Sequence, residues 1–175
     1  VALAVYTRDR LAPSENSAVR GLLDRAFEGD FGDWDWQHAL GGIHAIAVEA
    51  DVIVAHAALV PRALTVGDAP VDAGYVEAVA VEPQRQGQGL GSAVMRALEP
   101  AMDVYQLCAL STGEHAFYRR LGWRSWRGPT WVRTPAGLVR TADEDAGIMV
   151  RPSGDGGELD VTAALTCEQR EGDDW

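Results

Sequence analysis

The densest chemical signal in this sequence is a glycine-rich turn. AVAVEP reads as a strand, QRQGQGLG as a turn and SAVMRAL as a helix, so Gly87, Gly89 and Gly91 fall where strand gives way to helix. Glycines let a backbone approach a ligand, and the first N–H groups of a helix have no intrahelical partners, so such a turn is a natural anion site. The GxGxxG loop of dinucleotide-binding folds is mimicked only loosely, and a lone glycine cluster is weak support for it. That reading also expects an acid at the end of the next strand to hold a ribose, whereas VYQLCALS ends at Ser111. Two further side chains could move protons. Glu77 lies just before the turn in GYVEAVAV, where strict alternation would put it on one face with Val79 and Val81, an unusual place for a charge. Tyr118 lies in AFYRRLGW, three residues after His115. Taken alone, that tyrosine would be a core filler with a satisfied hydroxyl, and the histidine a structural one.

Composition narrows the chemistry. All 15 basic residues are arginine, so lysine Schiff bases and the P-loop are excluded. The net charge of −11 argues against a nucleic-acid partner and suits a cationic substrate, although acidity also serves solubility. Cys108 and Cys167 are far apart with no CxxC, which predicts core thiols in a reducing, cytoplasmic compartment and no metal site. Glu49, Asp51 and His56 break the longest apolar stretch, so no membrane span is expected, and VALAVYTRDR has no basic n-region of a leader.

The elements that must position these residues read as one α/β domain over residues 1–175. LAVYTR is a first strand. Ser14 and Ser17 offer N-caps to a helix SAVRGLLDRAF that stops at Gly29, and GDFGDWDWQHALGG reads as a loop and short helix. IHAIAVEA and VIVAHAALVPRALTVG form an antiparallel hairpin around Asp51, and VDAGYVEAVAVEP is a further strand. After the glycine turn, SAVMRALEPAMD is one helix with Val94, Leu98 and Met102 on its apolar face. There follow a strand VYQLCALS, a helix GEHAFYRRLG closed by Gly122, a strand WRSWRGPTWVR, an acidic turn TADEDAG, a strand IMVR, a loop PSGDGG and a tail ending in GDDW.

Gln86, Gly89 and Gly91 match the pyrophosphate loop of the GNAT N-acyltransferase superfamily: Gln or Arg, two residues, Gly, one residue, Gly or Ala. AFYRRLGW resembles its second hallmark, an aromatic–Tyr pair on a helix before a glycine and a strand. Closer still, GDF, DWQHALGG, AHAALVPRAL, GYVEAVAV, GWRSWRGPT and CEQREGDDW resemble the aminoglycoside 2'-N-acetyltransferases. The resemblance implies the GNAT fold, a mixed central sheet flanked by helices. It also implies transfer of the acetyl group of acetyl-CoA to the 2'-amine of an aminoglycoside, an antibiotic-resistance activity.

By the same resemblance, Tyr118 is the general acid that serves the coenzyme A sulfur and Glu77 the water-mediated base. Backbone N–H groups of Gln86, Gly87, Gln88, Gly89, Leu90 and Gly91 cradle the pyrophosphate, with Arg85 adding charge. Val79 and Val81 offer strand backbone to the pantetheine arm. Asp30, Asp35, Glu77, Ser111, Glu144, Asp173 and Trp175 are the implied contacts of the cationic substrate, the last through a terminal carboxylate held by a docked indole. Most such loop acids, taken singly, are solvated surface. The residues leave two alternatives open: another amine acceptor, such as a kasugamycin-like aminoglycoside, a polyamine or a peptide; and a noncatalytic acyl-CoA-binding regulator. A homodimer is the possible assembly.

Overall fold

The computed structural model describes residues 2–153 and 159–175, which leaves the glycines of the expected PSGDGG loop outside the described residues. The chain packs as two compact units, one of Val1–Val60 with Val76–Ala101 and the other of Pro61–Tyr75 with Met102–Trp175.

In the first unit, β1 (Leu3–Arg8) pairs antiparallel with β2 (Ile43–Glu49), and β2 pairs antiparallel with β3 (Val52–Val66). The β2–β3 turn places Ala50 and Asp51 at φ 49° and 61°. Two left-handed residues in succession match the twist of a tight hairpin. The helix α1 (Pro13–Ala26) begins a turn earlier than the serines predicted. Pro13 supplies a preset φ at its start, and the Glu15 carboxylate, not a serine hydroxyl, accepts the Ala12 N–H at 2.8 Å. α2 (Asp33–Ala39) is the expected short helix. Val19, Leu22 and Leu23 of α1 are buried against Ile46 and Ile53, in a cluster that also takes in Phe31 and Ala80.

The strand β4 (Ala69–Val81) carries the chain into the glycine turn, which opens with a short 3-10 segment, Pro83–Arg85. The helix expected as one piece is two, α3 (Leu90–Ala97) and α4 (Glu99–Met102). Pro100 has no N–H to donate to the carbonyl one turn back, and its ring disfavours helical backbone in the residue before it. Val94, Leu98 and Met102 are nevertheless all buried, as their spacing predicts.

In the second unit, β5 (Leu107–Ser111) runs parallel to β4 over Ala73–Tyr75 and antiparallel to β9 (Ile148–Pro152). Between these strands in sequence come α5 (His115–Arg120), β6 (Arg124–Ser125), β7 (Thr130–Thr134) and β8 (Gly137–Arg140). β10 (Leu165–Glu168) pairs antiparallel with β3 and parallel with β7, so the sheet is mixed and the class is α/β.

WRSWRGPTWVR, read as a single strand, is split into β6 and β7. A Cβ on Gly128 would stand 1.8 Å from the Ala163 carbonyl oxygen, so only glycine permits this backbone approach, and Pro129 withdraws a ladder donor. Cys108 and Cys167 are buried free thiols, which burial pushes up to about 12 and about 11. Among the described residues no helix is long and apolar enough to cross a membrane.

Candidate active site

The glycine turn is built as the sequence suggests. Gly87 and Gly89 sit at φ 74° and 82°, a region that costs an L side chain strain, and among the described residues beyond the immediate chain neighbours no atom lies within 4 Å of the point where either Cβ would stand. Gly89 is the N-cap of α3, and the Ala93 N–H donates to its carbonyl at 3.0 Å. The N–H groups of Leu90 and Gly91 therefore precede the first intrahelical bond and belong to the end that carries the positive pole of the helix dipole. Gln86, Gly87, Gln88 and Gly89 are exposed, while Leu90 and Gly91 are buried. Arg85 is already committed: its guanidinium donates to Glu49 and, through Nε, to Gln88 Oε1 at 2.9 Å. Glu49 holds it above the ordinary arginine range. As a phosphate ligand it would have to exchange that partner.

Also in the first unit, Glu77, Val79 and Val81 are half-buried on β4. Between them Ala78 adopts φ 52°, inside the strand. Strict alternation, which would put Glu77 on one face with Val79 and Val81, assumes extended backbone throughout, and Ala78 departs from it. Asp30 is exposed and Asp35 half-buried. The Asp35 carboxylate accepts the Gly32 N–H at 2.7 Å and so caps α2.

In the second unit, Tyr118 lies on α5 and is 6% exposed. Its ring meets Phe117 edge-on at 4.8 Å and Trp123 at 6.0 Å, which fixes its orientation. Burial, aided by the negative charge of Glu114, raises its phenol above the ordinary range and keeps it protonated. The same unit assembles three of the acceptor candidates. The acidic turn Ala142–Glu144 brings Glu144 into a hydrogen bond with Ser111, and burial together with the charges of Asp173 and Asp143 raises the Glu144 carboxyl. Asp145 is withdrawn from this group. It pairs with Arg140, which with the Thr130 N–H and hydroxyl, each donating at 2.9 Å, lowers it to about 2.

Trp175 is docked, at 4% exposure. Its indole N–H donates to Thr141 Oγ1 at 3.1 Å and its backbone N–H to Asp173 Oδ1 at 3.2 Å. Arg62 completes the clamp. It donates to the Asp174 carbonyl, and its guanidinium lies 4.8 Å from the Tyr75 ring centre and 5.9 Å from that of Trp175. Sequence reasoning passed over Arg62 and Thr141. The available signal was Arg62 itself, an isolated charge in the apolar run ALVPRAL.

The fold, the glycine turn and the buried tyrosine define a class. Residues 9–125 match the Acetyltransferase (GNAT) domain. A GNAT family N-acetyltransferase from Escherichia coli, solved in complex with CoA, superposes with a TM-score of 0.69 at 18% identity, covering 95% of this chain and 91% of that one. A GNAT family acetyltransferase from Brucella melitensis, in complex with acetyl-CoA, gives 0.63 at 17% identity over 93% and 94% of the two chains. The chain spans only 33% of the length of some other matched structures, including a probable N-acyltransferase from Enterococcus faecalis. A nearer relative in sequence is an aminoglycoside 2'-N-acetyltransferase of Mycolicibacterium fortuitum, 47% identical over 98% of this chain and 90% of the relative. The chain therefore belongs to the GNAT acetyltransferases, within the family of the aminoglycoside 2'-N-acetyltransferases.

Proposed function

We propose that this enzyme transfers the acetyl group of acetyl-CoA to the 2'-amine of an aminoglycoside. The observation that carries the proposal is the 47% identity over nearly the whole chain to an enzyme of that name. The chemistry of the donor set supports it. The open positions beside Gly87 and Gly89, and the first N–H groups of α3, which precede its first intrahelical bond, suit the pyrophosphate of acetyl-CoA, with Gln86, Gln88, Leu90 and Gly91 completing the cradle. Val79 and Val81 would present backbone groups to the pantetheine arm.

In the reaction, the neutral amine attacks the thioester carbon, the carbonyl π electrons move to oxygen, and collapse of the tetrahedral intermediate breaks the C–S bond. Glu77 takes the amine proton through a water, and Tyr118 donates to the departing sulfur. A phenol raised by burial is a weak acid against a thiolate, which has an unperturbed pKa of about 8.5 for a simple thiol. Tyr118 therefore acts mainly by hydrogen bonding to sulfur as charge develops there, with proton delivery late in C–S cleavage. Ser111, Glu144 and Asp173 supply a hydroxyl and two coupled carboxylates that an ammonium group would relieve of mutual repulsion. Asp30, Asp35 and Trp175 are assigned to the acceptor on the family resemblance.

The test is thiol release from acetyl-CoA across an acceptor panel. Gentamicin and tobramycin, which carry a 2'-amine, are expected to turn over, and kanamycin A and amikacin, which carry a 2'-hydroxyl, to react poorly. Equal turnover of both pairs, or preference for a polyamine or peptide, would overturn the assignment.

A further inference from the structure

The first unit contains a buried pair of histidines that the reaction does not use. His44 and His56 are 1% and 0% exposed. In the β2–β3 register Ile46 stands opposite His56, so His44, two residues from Ile46, is the diagonal neighbour of His56 on the same face. His44 Nδ1 lies 3.0 Å from His56 Nε2, and His56 Nδ1 lies 2.8 Å from the carbonyl oxygen of Ala78.

A carbonyl only accepts, so the Nδ1 of His56 carries the proton. Its Nε2 is then a lone pair that accepts from the Nδ1–H of His44. Both rings are neutral in this arrangement. Burial supports that state, pushing His44 below its ordinary range and His56 down to about 3. A directed chain of hydrogen bonds thus runs from β2 through β3 and ends on one atom of β4.

That atom belongs to an unusual residue. Among the described non-glycine residues, four have positive φ. Glu28 follows a helix, Ala50 and Asp51 form a hairpin turn, and only Ala78 lies inside a strand. Such a conformation is strained for an L residue and persists only where its surroundings over-determine it. Ala78 separates Glu77 from Val79, so its peptide orientation sets the direction of the proposed base and of the proposed pantetheine-binding backbone at once. At the far end of the strand the Glu82 N–H donates to the Val54 carbonyl at 2.9 Å, so β4 is pinned to β3 on both sides of Val79 and Val81.

We infer that His56, oriented by His44, is a positioning residue for acetyl transfer: it holds the left-handed backbone at Ala78, and through it Glu77 and Val79, in the geometry that receives the acyl-pantetheine arm. The inference rests on the acetyl-CoA reading above. The bland alternative is a satisfied core histidine whose loss lowers stability and nothing else.

Two substitutions separate these. The side-chain amide of His56→Asn reaches the place of Nδ1 and can still donate to Ala78, whereas that of His56→Gln reaches the place of Nε2 and leaves the Ala78 carbonyl without its donor. Each breaks one of the two hydrogen bonds, so their losses of thermal stability are expected to be similar. Acetyl-CoA binding, measured by calorimetry, is expected to weaken roughly 10-fold in His56→Gln, with a comparable fall in kcat, and to stay within about threefold in His56→Asn. Affinity for adenosine 3'-phosphate 5'-diphosphate, which needs only the glycine turn, is expected to be unchanged in both. Equal functional loss in the two variants, or equal weakening of the nucleotide and of acetyl-CoA, would overturn the inference, as would failure of both to fold while a His44→Asn protein folds with normal kinetics. If the unsubstituted protein bound no acetyl-CoA, the acetyl-transfer reading itself would fall, and this inference with it.

Discussion

The two units differ in the means by which each would build its proposed binding surface. In the first, the groups assigned to the cosubstrate are main-chain N–H groups, presented by glycines at φ 74° and 82° and by the start of α3. In the second, the groups assigned to the acceptor are side chains on irregular segments, held by other side chains: Glu144 by Ser111, the neighbouring Asp145 by Arg140 and Thr130, and Trp175 by Thr141 and Arg62. A main-chain site is indifferent to charge substitution but sensitive to any added Cβ. A side-chain site behaves the other way, so the two should fail under different mutations and in different kinetic constants.

The largest effect is expected at Tyr118, which is assigned to the chemistry rather than to either surface. Tyr118→Phe keeps the packing against Phe117 and Trp123 and removes the donor, so kcat should fall roughly 100-fold with acetyl-CoA affinity nearly intact. Steady-state kinetics on a variant with unchanged thermal stability checks this, and near-normal kcat would leave Tyr118 a core residue.

Next comes Gly89→Val. The residue must hold φ 82°, and its branched side chain would project where the pyrophosphate is proposed to lie. Left-handed strain of about 1–2 kcal/mol would push this backbone out of the geometry proposed for the cosubstrate, so acetyl-CoA KM should rise roughly 5- to 30-fold while acceptor KM moves little. An unchanged KM would count against the glycine turn as the cosubstrate site.

The smallest effect is expected at Glu144, one of several acids in its group. Glu144→Gln should lower kcat/KM for the aminoglycoside by roughly 3- to 10-fold, the loss of one partly exposed charge-assisted contact. It also has a pH signature. The folded-state pKa of Glu144 is raised, so as pH falls this carboxylate is neutralised earlier than an ordinary glutamate and loses its attraction for a cation. The acid limb of the kcat/KM profile should therefore become shallower in the variant, and an identical limb would remove Glu144 from acceptor binding.

The same contrast explains what could be read in the sequence. Glycine spacing between a strand and a helix is a local pattern with a local physical meaning, so the turn at Gly87 and Gly89 was legible without knowledge of the rest of the fold. The strands β8 and β10 were not. Gly137–Arg140 is exposed along its length, and Leu165–Glu168 gains its strand character only by pairing with distant β3 and β7. The left-handed backbone at Ala78 was equally hidden, because the His56 ring that meets its carbonyl comes from 22 residues away on another strand. The docking of Trp175 could be argued from the indole alone, but not its partners Thr141 and Arg62.

The proposed reaction is regiospecific: the acetyl group goes to a single amine of a polyamine sugar. Tobramycin should be converted with acetyl-CoA labelled with carbon-13 in the acetyl carbonyl, and the product examined by two-dimensional NMR. A single product is predicted in which the labelled carbonyl correlates with the proton on C2'. A correlation to the proton at position 3 or to the 6' methylene, or a mixture of sites, would contradict the account.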